Sequence, residues 1–146
     1  DIDKVIEKNK DNPVFYCQYA YARASSVINK SKNYKEFSNF LKLTNRFDFN
    51  TLSKYERDII LKLISWPYLL LQTLISKQPH KITNYIEDLS SSFHSFWNRG
   101  KVDQSLRFVD TSDVNKTITK LIWIESLRVV LKRAFDIIGI QAHEHM

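Results

Sequence analysis

Apolar side chains recur at helical spacing along almost the whole chain. From Asn12 to Lys30, the residues Val14, Cys17, Tyr21, Ala24 and Ile28 fall at i, i+3, i+7, i+10 and i+14, and Ala20 and Val27 widen that stripe. Pro13 suits a first helical turn, where its missing N–H is not needed, and Asn12 is placed to cap it. Ser31-Lys32-Asn33 closes this helix. The same period predicts a helix from Leu52 to Ile64, with Leu52, Tyr55, Ile59, Ile60, Leu63 and Ile64 on its core face. Ser53-Lys54-Tyr55-Glu56 reads as its capping box. Pro67 is expected to kink or restart the chain, and Tyr68 to Ile75, apolar nearly all round, to be buried on several sides. Pro79 opens a further helix whose stripe is Ile82, Tyr85, Ile86, Leu89, Phe93 and Phe96. The last helix runs from Val114 to Ile138 on Ile124, Leu127, Leu131, Ala134 and Ile138. It has an N-cap in Thr111-Ser112-Asp113 and Gly139 at its C-terminal end. Glu125, Arg128, Lys132 and Asp136 line its polar side.

The connections are less regular. Asp1 to Lys10 mixes charge with Ile2, Val5 and Ile6 and reads as the end of a helix arriving from upstream. Tyr34 to Phe49 is expected to hold a short helix and then a loop. Arg99-Gly100-Lys101 reads as a basic turn, and Val102 to Val109 as irregular. The pattern predicts an all-α helical bundle. Residues 1–146 are read as a single domain, of which 1–11 are the tail of an upstream connection.

Composition supports long helices. The chain has 146 residues, 43% of them hydrophobic, with only 2 Gly and 3 Pro, which argues against a turn-rich β-fold. The net charge of +6 favours an anionic partner without choosing among RNA, DNA and a membrane surface. Cys17 is the single cysteine, so no internal disulfide can form, and its place on the apolar stripe suits a small buried hydrophobe. The longest uncharged run, Leu63 to Ser76, is too short for a membrane span and is interrupted by Pro67. No membrane association is expected from it, and the compartment expected is the reducing cytoplasm. The chain starts at Asp1, which reads as a piece of a longer protein.

Chemistry concentrates on the back of the first stripe. Tyr19 and Arg23, one turn apart, fall nearly opposite the apolar residues, with Tyr16, Ser26 and Lys30 near them. They fit either a solvated face or a stacking platform with a cation beside it, which would suit an unstacked nucleic-acid base and its phosphate. Trp97 lies at the edge of the Pro79 helix stripe, able to be half in the core and half available to a base. His94 lies farther round and reads as a hydrogen-bonded structural residue, with no second metal-ligating side chain at usable spacing beside it. Lys101 and Arg99 fit either an ordinary solvated turn or phosphate contact. No paired carboxylates, Ser/His/Asp set or metal cluster is found, so no catalytic residue and no metal site is assigned.

The string Asn12-Pro13-Val14-Phe15-Tyr16, followed by Gln18-Tyr19-Ala20 and Ala22-Arg23, closely resembles the first long helix of the DALR-type anticodon-binding domain of arginyl-tRNA synthetases. Tyr85-Ile86-Glu87-Asp88-Leu89 and Phe93-His94-Ser95-Phe96-Trp97-Asn98 are similar to a second motif of that family, with Trp97 at the usual Tyr position. The tail Ala142-His143-Glu144-His145-Met146 matches the family's end at Glu144 and Met146. Tyr21 stands where the family has His, a change expected to alter packing more than recognition.

The resemblance implies recognition of the anticodon stem-loop of an arginine tRNA. Tyr19 and Trp97 would stack on bases, Arg23 would contact a base or phosphate, and Met146 would pack near the anticodon. Lys30, Lys101 and Arg99 would add backbone contacts. It further implies a parent ligase that joins arginine to its tRNA, using ATP and Mg2+ in an upstream catalytic domain, with no cofactor and no catalysis in this stretch. A monomer is expected. The rival reading, from a different class, is a helical protein-interaction module with an incidental basic surface. It predicts that the Tyr19–Arg23 face binds a protein groove and ignores RNA.

Overall fold

The computed structural model describes residues 12–146; the expected helical segment over 1–10 lies outside the described residues. Among them are four α-helices: α1 (Pro13–Ser31), α2 (Lys54–Ser76), α3 (His80–Val102) and α4 (Val114–Ile138). Three short 3-10 segments, Phe40–Arg46, Phe49–Thr51 and Gln104–Leu106, join them, and the described residues contain no strand. The first of these is the expected short helix, 3-10 in form and kinked at Leu43, where φ is −109° and ψ 24°.

The helix ends follow local chemistry. The Asn12 side chain accepts from the backbone N–H groups of Val14 and Phe15, at 3.0 and 3.4 Å. The capping box of α2 is formed both ways: Ser53 N–H donates to Glu56 at 2.8 Å, and Glu56 N–H to the Ser53 hydroxyl at 3.4 Å. Asp113 accepts from Lys116 N–H at 3.0 Å and so caps α4. Gly139 ends α4 at φ 76°, a left-handed conformation that glycine adopts without a Cβ penalty.

The core lies between α3 and α4, which each pack against both other helices, while α1 and α2 flank this pair. Cys17, Tyr21, Ala24 and Ile28 are buried as expected, but Val14 at the first turn is exposed. Phe93, Phe96, Phe108 and Trp123 form a ring cluster with centroids 5.4–6.4 Å apart, and Trp97 joins it from the edge, 5.5 Å from Phe108. Burial pushes the Cys17 thiol up to about 11, so it packs as a neutral hydrophobe.

Helix α2 does not restart at Pro67, and its burial departs from the expectation. It runs unbroken through Pro67. Proline removes the N–H that would bond the Leu63 carbonyl. Just before it, Trp66 is buried and stacks on Tyr85 of α3 at 5.3 Å, and the Tyr85 hydroxyl donates to the Lys62 carbonyl at 2.9 Å. Tertiary contacts thus hold the helix together across the proline. Tyr68 to Ile75 is also not buried on several sides: Leu69 and Leu70 are half-buried, whereas Tyr68, Leu71, Leu74 and Ile75 are 52–75% exposed. Ile64, expected in the core, is exposed too, since Ile59, Ile60, Leu63 and Trp66 complete the buried face without it. By length and composition, α2 is the one helix among the described residues apolar enough to cross a membrane.

Arg99, Gly100 and Lys101 form no turn; α3 continues to Val102. The two cations sit in its last turn, where they complement the negative end of the helix dipole.

Candidate nucleic-acid interface

Helix α1 places Tyr19 and Arg23 one turn apart, and α3 carries Trp97 alongside them. The guanidinium carbon of Arg23 lies 4.1 Å from the centre of the Tyr19 ring and 5.0 Å from that of Trp97. Arg23 also donates to the Tyr19 hydroxyl at 3.1 Å. Neither ring is a free platform; the cation is shared between them, at distances where the ring quadrupole attracts it. Both rings and Arg23 are half-buried, so this face is not simply solvated.

Behind the guanidinium sits His94, 5% exposed. Arg23 donates to its Nδ1 at 2.9 Å, and its Nε2 lies 3.1 Å from the Tyr16 carbonyl oxygen. Burial, with Arg23 adding to it, holds the His94 pKa below the ordinary histidine value.

The C-terminal tail closes the site. After Gly139, Gln18 of α1 donates to the Gln141 carbonyl at 2.7 Å, and Arg128 of α4 pairs with Glu144 at 3.4 Å. Arg128 is itself fixed by a two-pronged pair with Glu125, both contacts at 2.8 Å, which raises its pKa further. The tail is thereby laid across α1, and Met146 comes to the same hollow.

The result is an open groove of about 420 Å³. Of the seven sequence-predicted residues, Tyr19, Arg23, Lys30, Trp97, Lys101 and Met146 line it, together with Glu144 and His145. Arg99 does not. It points to another hollow, where its guanidinium lies 4.2 Å from the Tyr55 ring centre. Arg99 and Lys101 differ by 200° around the helix, so a shared helix end separates them where a turn would have kept them together. Sequence reasoning missed the parts of Gln18 and Arg128, and it read His94 as a hydrogen-bonded structural residue without its partners. Gln18 and His94 lie inside the motifs already noted, but only their contacts reveal what they hold.

The groove can accept flat rings against Arg23 and its two aromatic neighbours, apolar contact at Met146, and anionic groups at Lys30 and Lys101. Among the described residues, no three His, Cys, Asp or Glu side chains gather to hold a metal ion.

Comparison with known proteins agrees with this picture. The family described as DALR anticodon binding domain matches residues 17–146. Proteins named arginine–tRNA ligase from Orientia tsutsugamushi (strain Boryong) and Bartonella quintana are each 35% identical over 147 residues, covering the whole of this chain and 25% of theirs. One from Xanthobacter autotrophicus is 33% identical over 150 residues, with the same coverage. The chain thus spans about a quarter of the length of the curated relatives it matches. A crystal structure from Campylobacter jejuni, described as an arginyl tRNA synthetase, superposes with a TM-score of 0.78 at 23% identity, over all of this chain and 29% of that one. At that identity it supports the all-α fold.

Proposed function

The chain belongs to the DALR anticodon-binding domain family, and from that premise we propose that it grips the anticodon stem-loop of an arginine tRNA as the binding domain of an arginine–tRNA ligase. One observation carries this reading: six of the residues expected to touch RNA converge on a single groove built by α1, the end of α3 and the tail. A-form stems hide their base edges, whereas a loop can splay its bases onto aromatic and guanidinium planes. Each base seated against the Tyr19–Arg23–Trp97 cluster contributes about 1–3 kcal/mol. Lys30 and Lys101 add a salt-dependent phosphate contribution. Met146, at the end of the anchored tail, offers an apolar contact to a base.

Within this proposal, the chemistry of joining arginine to tRNA, with ATP and Mg2+, belongs to a catalytic domain upstream in the same chain. The greater length of the relatives supports that division. Docking the anticodon here would set the distance at which the 3′ end of the tRNA meets that domain. The protein is proposed to act as a monomer in the cytoplasm, away from membranes.

The second reading, a protein-interaction module, finds its support in the exposed apolar face of α2, formed by Leu61, Ile64, Tyr68, Leu71, Leu74 and Ile75. None of these residues lines the groove. Amide shift mapping separates the readings. Adding an arginine-tRNA anticodon stem-loop should perturb residues 19–30, 97–101 and 141–146 and leave 68–75 unmoved. Shifts confined to 68–75, or spread evenly over all basic residues, would refute anticodon binding in the groove.

A further inference from the structure

We infer that His94 is a positioning residue for RNA binding, its imidazole held as the neutral Nε2–H tautomer that fixes the Arg23 guanidinium in the groove. This rests on the reading of the groove as the RNA site and adds what holds that site in shape.

The tautomer follows from the two partners. A guanidinium only donates, so the Nδ1 that faces Arg23 at 2.9 Å must present a bare lone pair. A carbonyl only accepts, so the Nε2 that faces the Tyr16 oxygen at 3.1 Å must carry the proton. An imidazolium would turn an N–H, and a second positive charge, against Arg23. The ring is also clamped in place, with Tyr16 at 4.5 Å, Tyr19 at 5.6 Å and Phe93 at 6.1 Å between centroids. The charged group facing it is Arg23, and the titratable ones are Tyr16 and Tyr19, all on α1; Phe93, on its own helix, is apolar. Burial and Arg23 together disfavour protonation of His94.

Arg23 is a long side chain with much rotamer freedom to lose. Held from behind by His94 and flanked by two rings, it meets the RNA already ordered, and less freedom is lost on binding. Acidification therefore acts in two directions. Raising the general positive charge of the surface favours RNA, whereas charging His94 releases Arg23 and removes affinity.

The test measures affinity for an arginine-tRNA anticodon stem-loop in the wild-type chain, His94→Leu, His94→Asn and Arg23→Ala, at fixed salt across the NMR titration of His94. Leucine keeps bulk without an acceptor and should weaken binding roughly tenfold at pH 7.5. Asparagine can place its amide oxygen near the Nδ1 position and should restore most of that loss. The affinity of the wild type relative to His94→Asn should fall in step with the protonation of His94. Full binding by His94→Leu, where Arg23→Ala binds weakly, would overturn the inference and leave the groove reading standing. Full binding by Arg23→Ala would overturn both. A readout that does not depend on variants folding is the 15N spectrum of the wild-type imidazole, which should show protonated Nε2 and bare Nδ1 at pH 7.5. The opposite tautomer, or a charged ring, would overturn the inference.

Discussion

Gln18 on the first described helix donates its side-chain N–H to the backbone carbonyl of Gln141, at 2.7 Å across 123 residues of sequence. This bond anchors the tail after Gly139 and so brings Met146, 48% exposed, to the groove. Gln18→Ala should lower the melting temperature by only a few degrees, because the bond is solvent-exposed, yet weaken RNA binding. A bond worth about 1 kcal/mol corresponds to roughly fivefold in affinity. Binding measured beside a thermal melt checks this, together with faster proteolysis of the tail.

Among the described residues, the interior holds a charged knot. Glu56 caps Ser53, accepts from the Trp123 indole at 3.4 Å and lies 3.9 Å from the Lys120 ammonium. Lys120 also donates to the Ser105 and Arg107 carbonyls, at 3.2 and 2.6 Å, which pins the loop between α3 and α4. Burial lowers the Lys120 pKa and Glu56 opposes that. Glu56→Ala strands a buried ammonium and breaks the cap, so it should cost about 3–5 kcal/mol in a denaturant titration. Lys120→Met, which removes the charge and keeps an apolar stem, should cost less than a truncation to Ala.

Stability should also depend on pH through His94. Its folded pKa is depressed, so the unfolded chain takes up this proton first as pH falls from the ordinary histidine value near 6.5. Between the unfolded and folded values the unfolded state binds more protons, so stability rises with pH across that window. The contribution is fully present above about pH 6.5 and lost below the folded pKa. Urea titrations of the wild type and His94→Asn from pH 7.5 to 5 should diverge, with the wild type losing more. Parallel curves would refute this.

Salt should separate the lysines from the rings. Lys101→Ala should lower the slope of log K against log salt by about 0.7, the value for one single-strand phosphate contact. Arg99→Ala should leave the slope nearly unchanged, because Arg99 lies over Tyr55, outside the groove.

The helical stripes were legible because each buried face repeats at 3.6 residues, and Asn12, Ser53, Asp113 and Gly139 mark the helix ends through local bonds alone. The groove was legible in part: Tyr19 and Arg23 stood out because they lie opposite an apolar stripe. What the sequence left hidden depends on contacts between distant segments. Pro67 does not restart the chain, because Trp66 and Tyr85 hold the helix across it. Tyr68 to Ile75 looked buried from hydropathy, but only Leu69 and Leu70 pack against the core, and Tyr68, Leu71, Leu74 and Ile75 continue an exposed face. Lys101 and Arg99, adjacent in motif, part company because the helix continues beneath them. The hold of His94 on Arg23 joins two helices and has no periodic signature.

The most direct measurement is the affinity of this chain for an arginine-tRNA anticodon stem-loop and for an unrelated stem-loop, in the wild type and in Tyr19→Ala, Arg23→Ala and Trp97→Ala. The account predicts preference for the arginine stem-loop, with each variant losing about 1–3 kcal/mol and the preference shrinking with it. Equal binding of both RNAs, unchanged in all three variants, would show that net charge alone attracts RNA and that the groove does not read the anticodon.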